Sequence, residues 1–173
     1  MITTALAQQL RDAGLTWTPV AGDAFQIARP DFEGDVFTVS DMTIEAHSYS
    51  TGTVLGFNGT TEWALDSVAL DDALWLPRED QLRDLLRGTF DQLERTVDEP
   101  TAETAVGAGT GVTGPAAKAR NGLRSQLQRG ARVAYTVTTH LDGVPALFTS
   151  EDPAEAYGLA LLALIRRAGA AEG

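Results

Sequence analysis

An α+β fold in a single domain spanning residues 1–173 is predicted by three observations. Apolar residues near the N-terminus repeat with a helical period. The middle of the chain switches to period two, punctuated by the dipeptides Asn58-Gly59 and Asp142-Gly143. A long apolar segment near the C-terminus returns to helical spacing. Together these predict a mainly antiparallel sheet with N-terminal, central and C-terminal helices.

Taken in order, Ile2, Leu6, Leu10 and Ala13 fall on one face of a helix, and Gly14 supplies the permissive residue that ends it. Residues 15–19 read as a short extended piece, Gly22-Asp23 as a turn and residues 24–27 as a strand. Residues 36–40 and 43–49 alternate as strands joined by a tight turn around Asp41-Met42. Asn58-Gly59 between residues 53–57 and 60–65 is a hairpin signal, because both central residues of a type I′ turn need positive φ. A two-residue loop there pairs Phe57 with Thr60, Leu55 with Glu62 and Val54 with Trp63.

Pro77 suits the first turn of the central helix, whose apolar stripe is Leu82, Leu85 and Leu86 and which Gly88 closes. Residues 90–97 read as extended, although Phe90 and Leu93 could also prolong the helix. Val133, Tyr135 and Val137 mark a half-buried strand, and Asp142-Gly143 turns it so that Val137 faces Phe148 and His140 faces Pro145. Asp152 and Pro153 open the last helix as N-cap and first residue. Tyr157, Leu161, Leu164 and Ile165 form its core face, and Arg166-Arg167 meet the negative end of its dipole.

Residues 98–131 break the pattern. Ala, Gly, Thr and Pro dominate their first part, with nothing large to bury, which predicts a flexible insertion. Gly109, Gly111 and Gly114 match the G-x-G-x-x-G spacing of a dinucleotide loop, but no buried strand precedes them and no acidic residue follows at the ribose distance. Read as a P-loop, the same segment has Pro115 and Ala116 where Lys and Ser or Thr are needed. No cofactor is therefore expected. The bases that follow, Lys118, Arg120, Arg124, Arg129 and Arg132, carry no interleaved aromatics for stacking on nucleobases.

The chain has a net charge of −11 and no cysteine, which excludes disulfide, thiolate and Cys-ligated zinc chemistry. The excess acid lies in residues 1–80, where Arg11, Arg29 and Arg78 are the only bases. Such a surface repels nucleic acid and anionic membrane, and neither is an expected partner. No apolar run approaches the roughly 20 residues that span a bilayer. The start MITTALAQQLRDAG lacks the basic and apolar regions of a secretory signal, so a cytoplasmic location is expected.

The chemistry-bearing residues gather in the middle. Alternation puts Glu45, His47 and Tyr49 on one strand face, and Glu62 and Asp66 on one face of the next, with Asp41 at the turn. If these faces coincide, carboxylates and an imidazole converge, a set able to act as general acid and base. Glu45 and Glu62 are the candidate ligands for a divalent cation, although no metal-binding spacing such as H-E-x-x-H is present. Trp63 and Trp75 stand among these acids as candidate recognition residues or as plugs of the sheet–helix core.

The stretches FNGTTEWALDSV and LWLPREDQLRDLL resemble a small bacterial family whose members often carry the label pilus assembly protein, of CpaE type. LRDAGLTWTPVAGDAFQI, VFTVSDMTIEAH and EDPAEAYGLALLALI extend the resemblance over most of residues 1–97 and 132–168. It implies one compact domain and transfers no catalytic residue, and the ATPase motif associated with that label is missing. The expected function is a non-enzymatic binding or adaptor protein that meets another protein, or a second copy of itself, through the acidic surface from Asp41 to Asp72. The alternative is a small metal-dependent hydrolase built on Asp41, Glu45, His47, Glu62 and Asp66.

Overall fold

The computed structural model describes residues 1–32, 34–40, 44–57, 67–98 and 132–171. Among these residues the chain forms three α-helices and nine strands, and the fold is α+β. Antiparallel pairing is divided over three small sheets of three strands each.

Helix α1, Thr4–Asp12, starts on Thr3, whose hydroxyl accepts from the Leu6 N–H. It ends in a Schellman motif: Gly14 adopts φ +104°, its N–H donates to Arg11 O, and the Leu15 N–H donates to Leu10 O. Of the expected helix face, Ile2, Leu6 and Leu10 are buried and Ala13 is half-buried. No strand forms over residues 15–19, and β1, Ala24–Ile27, follows.

β1 is the centre of the first sheet, between β2 (Phe37–Thr38) and β6 (Ala73–Trp75), with Phe25 opposite both Phe37 and Trp75. Strand alternation sends successive side chains to opposite faces, so this sheet separates two cores. Ala24, Leu74 and the following Leu76 face a core shared with all three helices. Phe25, Ile27 and Ala73 face a second core with Ile44, Leu55 and Val68 from the second sheet. That sheet comprises β3 (Ile44–Tyr49), β4 (Gly52–Phe57) and β5 (Ser67–Ala69).

Two expected pairings are corrected here. Residues 36–40 and 43–49 do not form one hairpin: β2 joins β1, β3 joins β4, and a single bridge between Ser40 and Ile44 links them. The register expected from a two-residue Asn58-Gly59 loop is also overturned, since Leu55 lies opposite Val68 and Val54 opposite Ala69. Leu55 and Val68 are both fully buried, whereas the expected register puts the Glu62 carboxylate beside Leu55 on that dry face. Burial therefore selects the pairing. Asn58-Gly59 itself and the strand expected over residues 60–65 lie outside the described residues.

Helix α2, Glu79–Leu86, begins two residues after Pro77, so the proline lies before the helix and not in its first turn. Its end is taken by Arg87 at φ 50°, and Gly88 sits within the 3₁₀ turn Arg87–Thr89. The third sheet then follows as β7 (Phe90–Asp98), β8 (Arg132–Leu141) and β9 (Val144–Ser150). Asp142 and Gly143 both have positive φ, and Val137 pairs with Phe148 and His140 with Pro145, as the hairpin signal requires. β7 and β8 are antiparallel neighbours. The insertion expected over residues 98–131 falls, from residue 99 on, outside the described residues.

Helix α3, Pro153–Ala171, is capped by Asp152, whose Oδ1 accepts from the Ala154 and Glu155 N–H groups. It packs between β8 and β9 on one side and α1 and α2 on the other, so Ala154, Ala156, Gly158 and Ala160 are buried along with Tyr157 and Leu161. Leu164 and Ile165 are only half-buried. Because the helix continues to Ala171, Arg166 and Arg167 are not in its last turn. Arg167 instead pairs with Asp142 at the β8–β9 turn, and Arg166 reaches Gln9 on α1.

Candidate functional site

The Asp23 carboxylate is buried, 1% exposed, at the entry to β1. A buried charge costs heavily unless it is fully hydrogen-bonded, and Asp23 meets that condition. Its Oδ2 accepts from the Trp17 indole at 2.8 Å and the Val20 N–H at 3.0 Å. Its Oδ1 accepts from Gln81 Nε2 at 2.6 Å, with the Arg78 guanidinium 3.7 Å away. Arg78 also donates to Gly22 O and makes a two-pronged contact with Asp80, both bonds at 3.1 Å. The hydrogen bonds from Arg78 hold the Asp80 carboxyl below its ordinary value and raise the guanidinium above its own. Gln81 closes the set by accepting from the Arg78 N–H at the start of α2.

This network fixes Trp17 in a segment without regular structure. Trp17 in turn stacks on Trp75 of β6, with 6.2 Å between ring centroids and 5° between planes. An aromatic row continues inward from Trp17 through Phe25 and Phe37 to Phe57. The two indoles form part of a cleft of about 290 Å³ between α1 and β6. Leu10 and Arg11 line one wall, and Leu74 and Asp71 belong to the opposite side. Arg11 and Asp71 are exposed. The Trp75 Nε1 is buried without a hydrogen-bond partner, a condition that costs about 1–3 kcal/mol. An aromatic cleft of this kind is suited to an apolar group that packs against the indole faces.

The acidic set expected from the sequence is brought together only in part. Glu45 and His47 share a face of β3, with His47 Nε2 3.7 Å from a Glu45 carboxylate oxygen. The imidazole lies across Gly56 of β4, where a Cβ would approach it to 3.0 Å. Both side chains are partly exposed, and they border a shallow recess with Pro19, Val20 and Val39. Asp41, Glu62, Trp63 and Asp66 lie outside the described residues. Among the described residues no three His, Asp or Glu side chains are grouped to hold a metal ion. Trp75 is half-buried and belongs to the cleft, away from Glu45 and His47.

Sequence reading missed Trp17, Asp23, Arg78 and Gln81 as a unit. The one local signal was Gln81 three residues after the helix-starting Arg78, the position of a side chain that reaches back to the cap. The contacts of Gln81 and Arg78 with Asp23 and Gly22 join residues more than 50 positions apart in the chain. No helix among the described residues is long and apolar enough to cross a membrane. No protein-family model, no curated protein and no solved structure matches the chain.

Proposed function

We propose that this chain is a non-enzymatic binding or adaptor protein whose partner is another protein, one apolar side chain of which enters the cleft between α1 and β6. The observation that carries this reading is the stacked Trp17–Trp75 pair lining the cleft. Rigid aromatic surfaces dominate binding energy at protein interfaces. A volume of about 290 Å³ suits a single anchoring side chain better than a large cofactor. The acidic excess of residues 1–80 favours a basic residue beside that anchor, on the Asp71 side of the cleft and away from Arg11. In this reading the chain works in the cytoplasm as a member of the small bacterial family labelled pilus assembly protein. Its cysteine-free composition supports the first point and the pattern of residues 57–86 the second.

Nitrogen–proton correlation spectra of the indole groups test the reading, with N-acetyl-leucinamide and N-acetyl-tryptophanamide as probes. The Trp75 resonance, assigned by its loss in Trp75→Phe, is expected to shift on titration as the probe packs against its ring. The Trp17 resonance, already bonded to Asp23, is expected to move less. A Trp75 resonance unmoved by either probe would remove the cleft from consideration.

The contact between Glu45 and His47 favours a second reading, a metal-dependent hydrolase. A ligand that binds only the folded state raises its melting midpoint. Stabilisation by manganese or calcium that disappears in both Glu45→Gln and Glu62→Gln would decide for the hydrolase.

A further inference from the structure

A second recess, of about 550 Å³, lies where α2, β7 and α3 meet, and it is bordered by Glu79, Asp80, Arg83, Phe90, Leu93 and Tyr157. Its chemistry differs from that of the tryptophan cleft and rests on different residues.

Tyr157 is 3% exposed, yet its hydroxyl has no hydrogen-bond partner among the described residues. The ring is packed away, while the hydroxyl is not among the buried unpartnered atoms and so remains open to a ligand. Burial raises its pKa, so it stays protonated and able to donate. Its ring packs against Phe90 at 5.6 Å, and the Arg83 guanidinium lies over the other participant in that pair, 5.2 Å from the Phe90 centroid. Among the described residues Arg83 makes no hydrogen bond or ion pair. Glu79 stands one turn before it on α2, the spacing at which Glu and Arg commonly pair, but the two form no ion pair. Asp80, by contrast, is occupied by Arg78.

The recess thus offers a guanidinium that stacks on Phe90 with its N–H groups uncommitted to protein, a phenol donor, an exposed carboxylate and an apolar floor of Phe90 and Leu93. The guanidinium fork and the phenol suit a carboxylate, Glu79 suits an ammonium group, and the floor suits a hydrocarbon side chain. From this juxtaposition we infer that the recess binds the zwitterionic form of a free apolar α-amino acid, with its carboxylate on Arg83 and Tyr157 and its ammonium group toward Glu79. A simple anion is opposed by the net charge of −11, whereas a zwitterion carries no net charge for that field to repel.

Isothermal titration of the full chain with L-phenylalanine and L-leucine tests the inference, against N-acetyl-L-phenylalanine, which lacks the ammonium group, and L-phenylalaninamide, which lacks the carboxylate. Both free amino acids are expected to bind, and each blocked analogue to bind about tenfold or more weakly, the usual loss for one charged hydrogen bond. Tyr157→Phe and Arg83→Gln are each expected to weaken L-phenylalanine by a similar factor. Arg83 is exposed, so its replacement tests the site even if the buried Tyr157 tolerates no change. Absence of heat with both free amino acids at 20-fold excess over millimolar protein, roughly the range of a weak small-ligand site, overturns the inference. Equal affinity for the blocked analogues, or unchanged affinity in Arg83→Gln, overturns it as well.

Discussion

Trp17 and Trp75 lie parallel at 6.2 Å, yet their indole N–H groups have opposite fates: that of Trp17 donates to the buried Asp23, and that of Trp75 is buried without a partner. The same substitution should therefore have different consequences at the two positions. Trp17→Phe takes a donor from a buried carboxylate and is expected to cost about 2–3 kcal/mol. Trp75→Phe removes a donor that is already unsatisfied, which offsets part of the lost packing, so its cost is expected to stay below about 1.5 kcal/mol. Urea unfolding of the two variants checks the order. A larger loss for Trp75→Phe would mean that its N–H is satisfied in solution.

The contrast between these two residues also marks how far the sequence was legible. Local rules sufficed for the Asp142-Gly143 hairpin and its Val137–Phe148 register, since a two-residue loop ties the register to the turn. They sufficed equally for the Asp152 cap and the Gly14 terminus. They failed for β4, where Asn58-Gly59 implied one register and the mutual burial of Leu55 and Val68 set another. A dipeptide reports turn geometry, but it does not report which face of the following strand is dry. The candidate site was less legible still. Asp23 reads as an ordinary turn residue, and only folding brings Trp17, Gln81 and Arg78 onto its two oxygens. Of the acids singled out from alternation, Glu45 and His47 are adjacent because they lie two residues apart on one strand, a relationship the period itself supplies.

Gly158 shows a constraint of packing that helix propensity would miss. A Cβ there would stand 2.7 Å from Leu6 Cδ2 and 3.3 Å from Ile2 Cγ2, so α3 and α1 approach closely at this point. Alanine normally improves a helix by about 1 kcal/mol over glycine, but overpacking of a buried contact costs about 1–3 kcal/mol. Gly158→Ala is therefore expected to be net destabilising by about 1 kcal/mol. The loss should shrink or reverse in a Leu6→Ala background, where the new methyl fills space. A double-mutant cycle by urea unfolding reads this coupling, and strict additivity would rule out the clash.

Arg87 ends α2 at φ 50° and ψ −131°, a backbone conformation in which a Cβ is strained and glycine is not. Its side chain is exposed and makes no hydrogen bond or ion pair among the described residues, so truncation removes no polar contact among them. Arg87→Gly is expected to stabilise the fold by about 1 kcal/mol, the strain relieved exceeding the added entropy of the unfolded chain. Its melting midpoint should rise accordingly. A fall would place the stabilising balance with the unfolded-state entropy.

Asp80 supplies a dependence on pH whose sign follows from its bond to Arg78. The guanidinium holds this carboxyl below its ordinary value of 3.8 in the folded chain. The contribution is thus fully present above that ordinary value and is lost as pH falls through the lower folded value. Both partners are well exposed, and solvent screening limits the pair to less than about 1 kcal/mol. Asp80→Asn is expected to lower stability by that small amount at pH 7, with the gap to the parent chain closing as both are taken toward pH 2. Because Arg78 also holds Gly22 O and faces the buried Asp23, Arg78→Gln should cost more at pH 7 than Asp80→Asn. Urea titrations at pH 7 and in steps down to the onset of acid unfolding measure both differences. A gap between Asp80→Asn and the parent that widens on acidification would show the carboxyl to be raised instead of depressed.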